Sequence, residues 1–485
     1  MNINPLLETD VYKMGHMEQY APGTDFVYSY LTARSAKHFD RVMFFGLQYY
    51  LKRYLSQPLT MEMADEFIEC RRAILGSSSP AVEQKIRDLC RLGYWPLRIK
   101  AVAEGSRLPV RNALMTICNT LPEFYWTVGF VESLLLKVWY PTTVATCCRQ
   151  YRDIAERFWS ATVDDAELPG LDFAVHDFGY RGDSSVEGAA LSGVAHLLSF
   201  KGSDTVPALK CATEYYSANP SAELVMASVP ASEHSVMCSY GRDDELAAFR
   251  RMLELYPTGI VSIVSDTFNV YTVLTDFARQ LRAQIVSRDG KVVFRPDSGN
   301  PEHVICGNPA AEEGSPEWLG AVRLLDRMFG SSVNGKGYRV LNPVVGLIYG
   351  DGMYQARYEH TLERLQDMGY AASNLTIGVG GILRNHTRDT LGFAIKATFV
   401  RVNGEGRAIE KDPITDPSKK SHCGLMQLVR DAAGWRTIDR VSESDEYGGE
   451  LRVVYHNGRV IADDSLASIR IRVTQSQRDL FSGAE

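Results

Sequence analysis

The stretch that decides the fold is KVVFRPDSGNP at residues 291–301, a short apolar run that ends abruptly in polar residues and glycine. The same pattern occurs before HDFGYRG at 176–182, SDTFNVY at 265–271, YGDG at 349–352 and GVGG at 378–381. A buried parallel strand reads as a continuous apolar run. Because the chemistry of a parallel barrel lies where its strands end, the five endings predict one shared mouth.

Helix-like segments separate these five runs between about residues 165 and 384, at 186–199, 243–255, 270–283, 317–329 and 355–369. Strands that alternate with helices at this spacing predict βαβ units and a parallel sheet or barrel.

The two ends of the chain have a different pattern. Before the barrel region, the sequence predicts a strand at 26–31, alternating strands with one face exposed to water at 97–118, and helices over 44–55, 61–93 (with a break at 76–80) and 122–160. After about residue 390 the sequence is rich in strands and turns, including an Asn457-Gly458 hairpin signal. We therefore predict an α/β fold with two domains. An irregular parallel (β/α) barrel covers 161–384, and an α+β domain with an antiparallel sheet combines 1–160 with 385–485.

The composition is that of an ordinary globular protein, with 485 residues, 45% hydrophobic and 23% charged. A net charge of −7 argues against a surface that binds nucleic acid or an anionic membrane. The nine cysteines form no CxxC pair, which disfavours a disulfide framework or a zinc site. Neither a signal peptide nor an apolar run of roughly 18–20 residues is evident, so we expect a cytoplasmic protein.

Each strand ending also has an ordinary structural explanation. In RPDSGNP, Arg295 could bind phosphate and Asp297 could bind sugar hydroxyls or help to hold Mg²⁺, yet a strand followed by a turn would look the same. The glycines of YGDG and GVGG, each preceding a predicted helix, could cradle a phosphate with backbone N–H groups, although a turn alone would explain either. Their position after two strands of one predicted barrel favours phosphate binding.

The remaining candidates leave similar alternatives. Phe178 could stack on a planar ring and Arg181 could bind a ligand, or Phe178 could lie in the core and Arg181 could pair with Asp177. Asp204 lies in a turn of small residues, where its carboxylate could face a pocket or cap a helix. His234 could act as a base or accept a phosphoryl group, although most single histidines are structural.

Several catalytic motifs are missing from the sequence. It contains no GxSxG elbow, no Walker loop, no HExxH and no GxGxxG that opens a helix after a strand. Their absence disfavours a serine hydrolase, a P-loop ATPase, a zinc protease and a nicotinamide-dependent dehydrogenase.

Nearly end to end, the chain resembles the nicotinamide phosphoribosyltransferases, in the type II phosphoribosyltransferase group. Besides the five strand endings, the resemblance rests on TDVYK at 9–13, FGLQY at 45–49, WYPTTVAT at 139–146, TRD at 387–389 and KDP at 411–413. It implies a glycosyltransferase of NAD salvage that joins nicotinamide to phosphoribosyl pyrophosphate and releases nicotinamide mononucleotide and pyrophosphate.

The resemblance also implies roles at the base end of the site. Phe178 would stack on one face of the nicotinamide ring, and Tyr12 from the second subunit of a homodimer would stack on the other. Arg181 would bind the carboxamide or the 5′-phosphate, and Ser228 would also bind substrate. Asp204 would accept a hydrogen bond from the carboxamide NH₂, and its carboxylate would repel the carboxylate of nicotinate.

Further roles concern the ribose, the phosphates and ATP. The residues expected to hold the ribose hydroxyls and the 5′-phosphate are Arg295, Asp297, Gly350, Asp351, Gly380 and Gly381. Basic residues expected to meet the phosphates, partly across the dimer interface, are Arg34, Arg388, Lys396, Lys411 and Lys419. The resemblance further implies that ATP phosphorylates His234, with Glu233 and Asp266 nearby, and that Mg²⁺ enters with the pyrophosphate.

Three alternatives stay open from the sequence. The first is a nicotinate phosphoribosyltransferase on the same fold. The second is a non-catalytic binding or signalling protein that keeps the fold, and the third is a different barrel enzyme that binds a phosphorylated sugar or flavin. The stretch 302–335 matches no part of the resemblance, and we expect it to form a surface elaboration.

Overall fold

The computed structural model describes residues 3–412, 414–415, 421–432 and 434–481. The chain divides into two compact units. The first consists of Met1–Thr146, Cys211–Ala218 and His386–Glu485, and the second of Cys147–Lys210 and Asn219–Asn385. Among the described residues, no helix has both the length and the apolar character needed to cross a membrane.

The strands, in chain order, are Thr24–Ala33 (β1), Arg41–Met43 (β2), Leu97–Ala101 (β3), Arg107–Pro109 (β4), Ala113–Asn119 (β5), Val175–Asp177 (β6), Thr258–Val264 (β7), Asp289–Arg295 (β8), Ser331–Val333 (β9), Arg339–Leu341 (β10), Val345–Tyr349 (β11), Leu375–Val379 (β12), Phe393–Val402 (β13), Glu405–Ala408 (β14), Met426–Asp431 (β15), Gly434–Asp439 (β16), Arg452–His456 (β17) and Arg459–Val460 (β18).

The α-helices are His16–Gln19 (α1), Leu47–Tyr50 (α2), Met61–Leu75 (α3), Pro80–Leu92 (α4), Thr127–Phe130 (α5), Glu132–Leu135 (α6), Trp139–Thr162 (α7), Val186–Leu197 (α8), Val206–Tyr216 (α9), His234–Cys238 (α10), Glu245–Leu255 (α11), Val270–Thr272 (α12), Ala278–Ser287 (α13), Pro301–Cys306 (α14), Pro316–Phe329 (α15), Gln355–Asp367 (α16), Glu443–Glu446 (α17) and Leu466–Phe481 (α18).

The second unit is built on a parallel sheet whose five strands are the five predicted apolar runs. The strand order is β6-β12-β11-β8-β7, and every neighbouring pair is parallel. Isolated parallel bridges extend the sheet from β6 to Ser203, from Gly202 to Ala227, and from Ala231 to Ser262 of β7. The bridges curl the sheet into an irregular barrel, which confirms the predicted fold class.

The stretch 302–335 is not a surface elaboration, so that prediction is wrong. Helix α15 lies between β8 and β11 and therefore forms a crossover of the parallel sheet. Its residues Leu319, Val322 and Leu325 recur at helical spacing and are buried. Only the short strand β9 is exposed along its whole length.

The first unit contains an antiparallel sheet built from both ends of the chain. The strand order is β14-β13-β1-β5-β3-β17-β18. Helices α3 and α4 lie where the sequence predicts them, with Gly76 in the left-handed region at the end of α3 (φ 74°) and Pro80 in the first turn of α4.

The predicted exposed face of the antiparallel strands is wrong, because every residue of β5 is buried. The polar side chains that suggested an exposed face have internal partners instead. Lys100 is 2% exposed and lies 3.3 Å from the buried carboxylate of Glu446, which also accepts from Arg98 at 2.8 Å. Asn119 donates to the carbonyl oxygens of Asp25 and Leu121. Buried polar groups with such partners are tolerated on both faces of a sheet.

Candidate active site

One carboxylate oxygen of Asp204 is hydrogen-bonded to neighbouring side chains, and the other is available to a ligand. Its Oδ1 lies 3.0 Å from His176 Nε2 and accepts a hydrogen bond from Ser228 Oγ. In the described part of the chain, no side chain hydrogen-bonds to Oδ2, and the Asp204 side chain is 45% exposed. Burial raises the pKa of Asp204, but His176, Ser228 and the charge of Arg295 together lower it below its usual value. Asp204 is therefore an ionised acceptor, not a helix cap.

Phe178 lies near Asp204 because both contact His176, whose ring centroid is 5.0 Å from that of Phe178. It is half-buried rather than a core residue. A Cβ atom at Gly378 would lie 2.1 Å from the Phe178 ring, so glycine is required for the ring to pack there. The guanidinium of Arg295 lies 5.5 Å from the ring centroid. Gly378 and Arg295 thus fix the position of the Phe178 ring, which directly follows β6.

Arg181 is exposed, and within the described ranges it has no ion pair or hydrogen bond. The alternative pairing of Arg181 with Asp177 is wrong, because Asp177 pairs with Arg384, whose Nη2 lies 2.8 Å from both carboxylate oxygens. Arg181 is therefore available to a ligand.

The ends of β8 and β11 bring the predicted ribose-binding residues together. Arg295 Nη2 lies 3.6 Å from Asp297 Oδ2. A Cβ atom at Gly350 would lie 2.4 Å from Asp297 Oδ1, so a larger residue here would push this carboxylate out of its present position. Asp351 follows and is exposed. Burial raises the pKa of Tyr349, and the nearby negative charges of Asp266, Asp351 and Asp297 raise it further.

The glycine loop after β12 precedes a helix, as predicted, although this helix is short. Gly381–Leu383 forms a single turn of 3₁₀ helix. Leu383 N donates to Gly380 O at 3.1 Å, and Arg384 N donates to Gly381 O at 2.9 Å. The second glycine loop, YGDG, is followed three residues later by α16. Of the two loops, only YGDG leads into an α-helix.

His234 lies at the start of α10 and pairs with Asp266. Its Nε2 is 3.2 Å from Asp266 Oδ1, and its side chain is 46% exposed whereas that of Asp266 is 4% exposed. The second oxygen of Asp266 accepts from the backbone N–H of Asp297 at 3.0 Å. Glu233 accepts from Ser235 Oγ. The structure therefore brings Asp266 to the histidine and directs Glu233 to a different partner.

Sequence reasoning missed Arg384 and Asp183, which lie behind the site. Arg384 is fully buried between the carboxylates of Asp177 and Asp183, with Nε 2.8 Å from Asp183 Oδ2. Asp183 directly follows HDFGYRG and Arg384 lies three residues after GVGG, but neither belongs to a recognisable pattern of its own. No local signal in the sequence indicates this contact, which follows from the pairing of β6 with β12 that places the two loops side by side.

The predicted basic residues of the first unit lie close to one another. Lys396 is half-buried, and burial lowers its pKa; nearby Glu132 opposes this, while the positive charges of Arg34, Lys411 and Arg388 lower it further. Tyr12 belongs to the same unit and is 62% exposed. Lys419 lies outside the described residues.

Comparison with known proteins identifies the family. The model of the nicotinate phosphoribosyltransferase (NAPRTase) family matches residues 173–459, more than half of the chain. The chain belongs to the nicotinate phosphoribosyltransferase family. The model of the nicotinamide phosphoribosyltransferase N-terminal domain matches residues 4–78. Both matches confirm the resemblance found in the sequence.

Curated members of this family extend the match to nearly the whole chain. The nicotinamide phosphoribosyltransferase of Acinetobacter baylyi is 42% identical over 98% of this chain and 97% of its own. That of Xanthomonas campestris pv. campestris is 40% identical over 96% and 97%. That of Mycoplasma pneumoniae is 33% identical over 87% and 94%.

Solved structures support the same fold at low sequence identity. Nicotinate-nucleotide pyrophosphorylase from Pyrococcus furiosus has a TM-score of 0.61 and 14% identity, covering 99% of this chain and 96% of its own. Human nicotinic acid phosphoribosyltransferase has a TM-score of 0.59 and 16% identity, covering 97% and 93%.

Proposed function

We propose that the protein transfers the 5-phosphoribosyl group of phosphoribosyl pyrophosphate to the ring nitrogen of nicotinamide, as a step of NAD salvage. The products are nicotinamide mononucleotide and pyrophosphate. The observation that carries the proposal is the Asp204 carboxylate, whose Oδ2 is available beside the half-buried ring of Phe178. The curated relatives that bear the name of this activity match almost the whole chain, which supports it.

In this reaction the bond between the ribose C1 and pyrophosphate breaks, and a bond to the nicotinamide nitrogen forms. Positive charge develops on the sugar ring as pyrophosphate leaves. The ring nitrogen is already nucleophilic, so the protein has mainly to position it. Phe178 supplies a flat wall for the base, and Asp297 and Arg295 supply an acceptor and donors for the ribose and its phosphates.

Selection of the amide follows from charge. Oδ2 of Asp204 can accept one N–H of the carboxamide, while His176 and Ser228 already hold Oδ1. Nicotinate would place a second carboxylate against this oxygen. Like charges at close range in a partly dehydrated site disfavour binding.

Mg²⁺ would reach the site with its substrate. In the described ranges no group of three or more histidines, cysteines, aspartates or glutamates is arranged to hold a metal ion. Mg²⁺ keeps several waters and commonly binds through one or two carboxylates together with substrate phosphates. Asp297 and Asp351 are the carboxylates at the ribose end that fit this role, and the ion would neutralise the departing pyrophosphate.

ATP would act through His234. In this step the γ-phosphate moves from ATP to an imidazole nitrogen of His234, and ADP leaves. Asp266 fixes the orientation of the imidazole through Nε2, and exposure of the ring leaves it accessible. Hydrolysis of the phosphohistidine would drive the otherwise unfavourable condensation.

The proposal includes a homodimer with shared sites. The support is the exposed ring of Tyr12 and the cluster of Arg34, Arg388, Lys396 and Lys411 in the first unit. Four cations that repel one another favour an anionic ligand between them. Tyr12 would cover the second face of the base, and the four cations would meet the phosphates.

A nicotinate phosphoribosyltransferase is the second candidate, because the matching family model carries that name. The deciding experiment is the initial rate of mononucleotide formation by the purified protein from nicotinamide and from nicotinate, each with and without ATP. We expect a much higher kcat/KM for nicotinamide. Equal or better use of nicotinate would overturn the proposed function.

A further inference from the structure

One buried guanidinium connects two loops of the barrel mouth. Arg384 follows the glycine loop after β12, and its Nη2 lies 2.8 Å from both carboxylate oxygens of Asp177 at the end of β6. Its Nε lies 2.8 Å from Asp183 Oδ2. All three side chains are at most 1% exposed. Because the guanidinium is out of reach of substrate, any effect it has on the reaction passes through the loops that it holds.

The two loops that Arg384 connects are packed backbone to backbone. A Cβ atom at Gly179 would lie 2.7 Å from Arg384 Nε, and one at Gly182 would lie 3.0 Å from Gly381 Cα. The N–H of Phe178 donates to the Val379 carbonyl oxygen at 3.0 Å. A shift of the glycine loop therefore moves the loop that carries Phe178 and Arg181.

The same carboxylate also holds the segment that carries Asp204. Asp177 Oδ2 accepts from Thr205 Oγ1 at 2.8 Å and from Ser203 Oγ at 3.3 Å. The N–H of Asp204 donates to the Asp177 carbonyl oxygen at 3.0 Å. Asp177 thus contacts the residues on both sides of Asp204, and Arg384 supplies its counter-charge. Removal of that charge would leave the buried carboxylates of Asp177 and Asp183 without their shared cation.

We propose that Arg384 is a positioning residue that holds the nicotinamide-binding loop and the phosphate-binding loop in one arrangement. The proposal rests on the proposed function for the identity of the two ligands. Its distinguishing consequence is that one buried side chain controls the affinity for two chemically different ligands, an uncharged aromatic amide and a sugar phosphate. A residue that only stabilised the fold would change the unfolding temperature and leave both affinities unchanged.

The test compares Arg384→Gln with Arg152→Gln in the full-length protein. Arg152 is a matched control because it also pairs with two carboxylates of the second unit, Asp172 and Glu156. Dissociation constants for nicotinamide and for ribose 5-phosphate are measured separately by calorimetry, together with the unfolding temperature. For Arg384→Gln we expect both dissociation constants to rise about tenfold, and for Arg152→Gln we expect them to change by less than about twofold.

Two further variants keep the proposal testable if Arg384→Gln does not fold. Asp183→Asn leaves the contact between Arg384 and Asp177 in place and should raise both dissociation constants by about threefold. Arg384→Lys keeps the charge but loses the planar fork, so it should restore folding more fully than affinity.

The proposal is overturned if a folded Arg384 or Asp183 variant binds both ligands as the unaltered protein does, or if only one affinity falls. An unaltered protein that binds ribose 5-phosphate but not nicotinamide would overturn the proposed function instead.

Discussion

Asp266 places one carboxylate oxygen 3.2 Å from His234 Nε2 and the other 3.0 Å from the backbone N–H of Asp297. A single side chain thereby connects the proposed phosphoryl acceptor to the loop proposed to hold the ribose. Its side chain is 4% exposed, so this bridge is largely shielded from water. The orientation of the imidazole and the position of the Asp297 loop consequently depend on the same carboxylate.

Replacement of His234 by Ala should abolish stimulation by ATP and retain some ATP-independent synthesis, since the residues proposed to bind base and ribose remain. The measurement is mononucleotide formation with and without ATP, together with transfer of label from the γ-phosphate of ATP to the protein. His360→Ala, on the exposed surface of α16, is the control and should keep both properties. Label on the His234→Ala protein would show that another residue accepts the phosphate.

Replacement of Asp204 by Ser should reduce the preference for nicotinamide over nicotinate by about 10- to 100-fold, because the repelling carboxylate and one acceptor are lost together. The ratio of the two kcat/KM values is the measured quantity. Ser228→Ala should lower the same ratio by less, since His176 still holds Oδ1. An unchanged ratio in Asp204→Ser would place the choice of substrate elsewhere in the site.

Replacement of Gly350 by Ala should raise the KM for phosphoribosyl pyrophosphate about tenfold, because the new Cβ atom would lie 2.4 Å from Asp297 Oδ1 and would displace that carboxylate. The KM for nicotinamide should change much less. In a background of Asp297→Ala the same substitution should add little, since the clashing atoms are gone. Fully additive effects of the two substitutions would argue against this steric explanation.

The buried side chain of His196 should make the folded protein less stable in mild acid. Burial lowers the pKa of His196 to about 4, an effect partly offset by the Asp177 carboxylate. Between pH 6.5 and 4 the unfolded chain binds a proton that the folded protein excludes, so the free energy of unfolding falls as the pH falls. Between pH 7 and pH 5, His196 should lower the free energy of unfolding by about 2 kcal/mol.

Urea unfolding of the unaltered protein and of His196→Asn at pH 7 and pH 5 measures this contribution. Every other titrating group is common to both proteins, so the difference between the two pH-dependent losses isolates His196. The variant should be less stable at pH 7 and should lose less on acidification. Equal losses would show that the buried imidazole does not control the acid sensitivity.

The five barrel strands could be predicted because each is a continuous apolar run with its polar residues at one end. The error at 302–335 had a different origin, since the lack of a recognised motif says nothing about burial. The apolar spacing of Leu319, Val322 and Leu325 in α15 already indicated a packed helix. Periodicity was a better guide to packing than resemblance at this position.

The buried ion pairs could not be predicted from local pattern. Arg384 and Asp177 are 207 residues apart, and Lys100 and Glu446 are 346 residues apart. Each charged residue, viewed alone, is typical of an exposed surface, and only the pairing of the strands brings its partner close. The structure brings together the predicted residues that follow strand ends, but local pattern did not reveal the buried side chains that support them.

The pairing of β1 with β13 sets an order of events during synthesis of the chain. Residues 24–33 pair with residues 393–402, so one edge of β1 has no strand partner until most of the polypeptide has left the ribosome. At typical elongation rates of about 5–20 residues per second, this delay is on the order of 20 to 70 s. During that time the other edge of β1 can pair with β5, and the barrel strands can emerge and assemble. The unpaired backbone N–H and C=O groups on this edge of a largely apolar strand are thus a place where a nascent-chain chaperone would be needed.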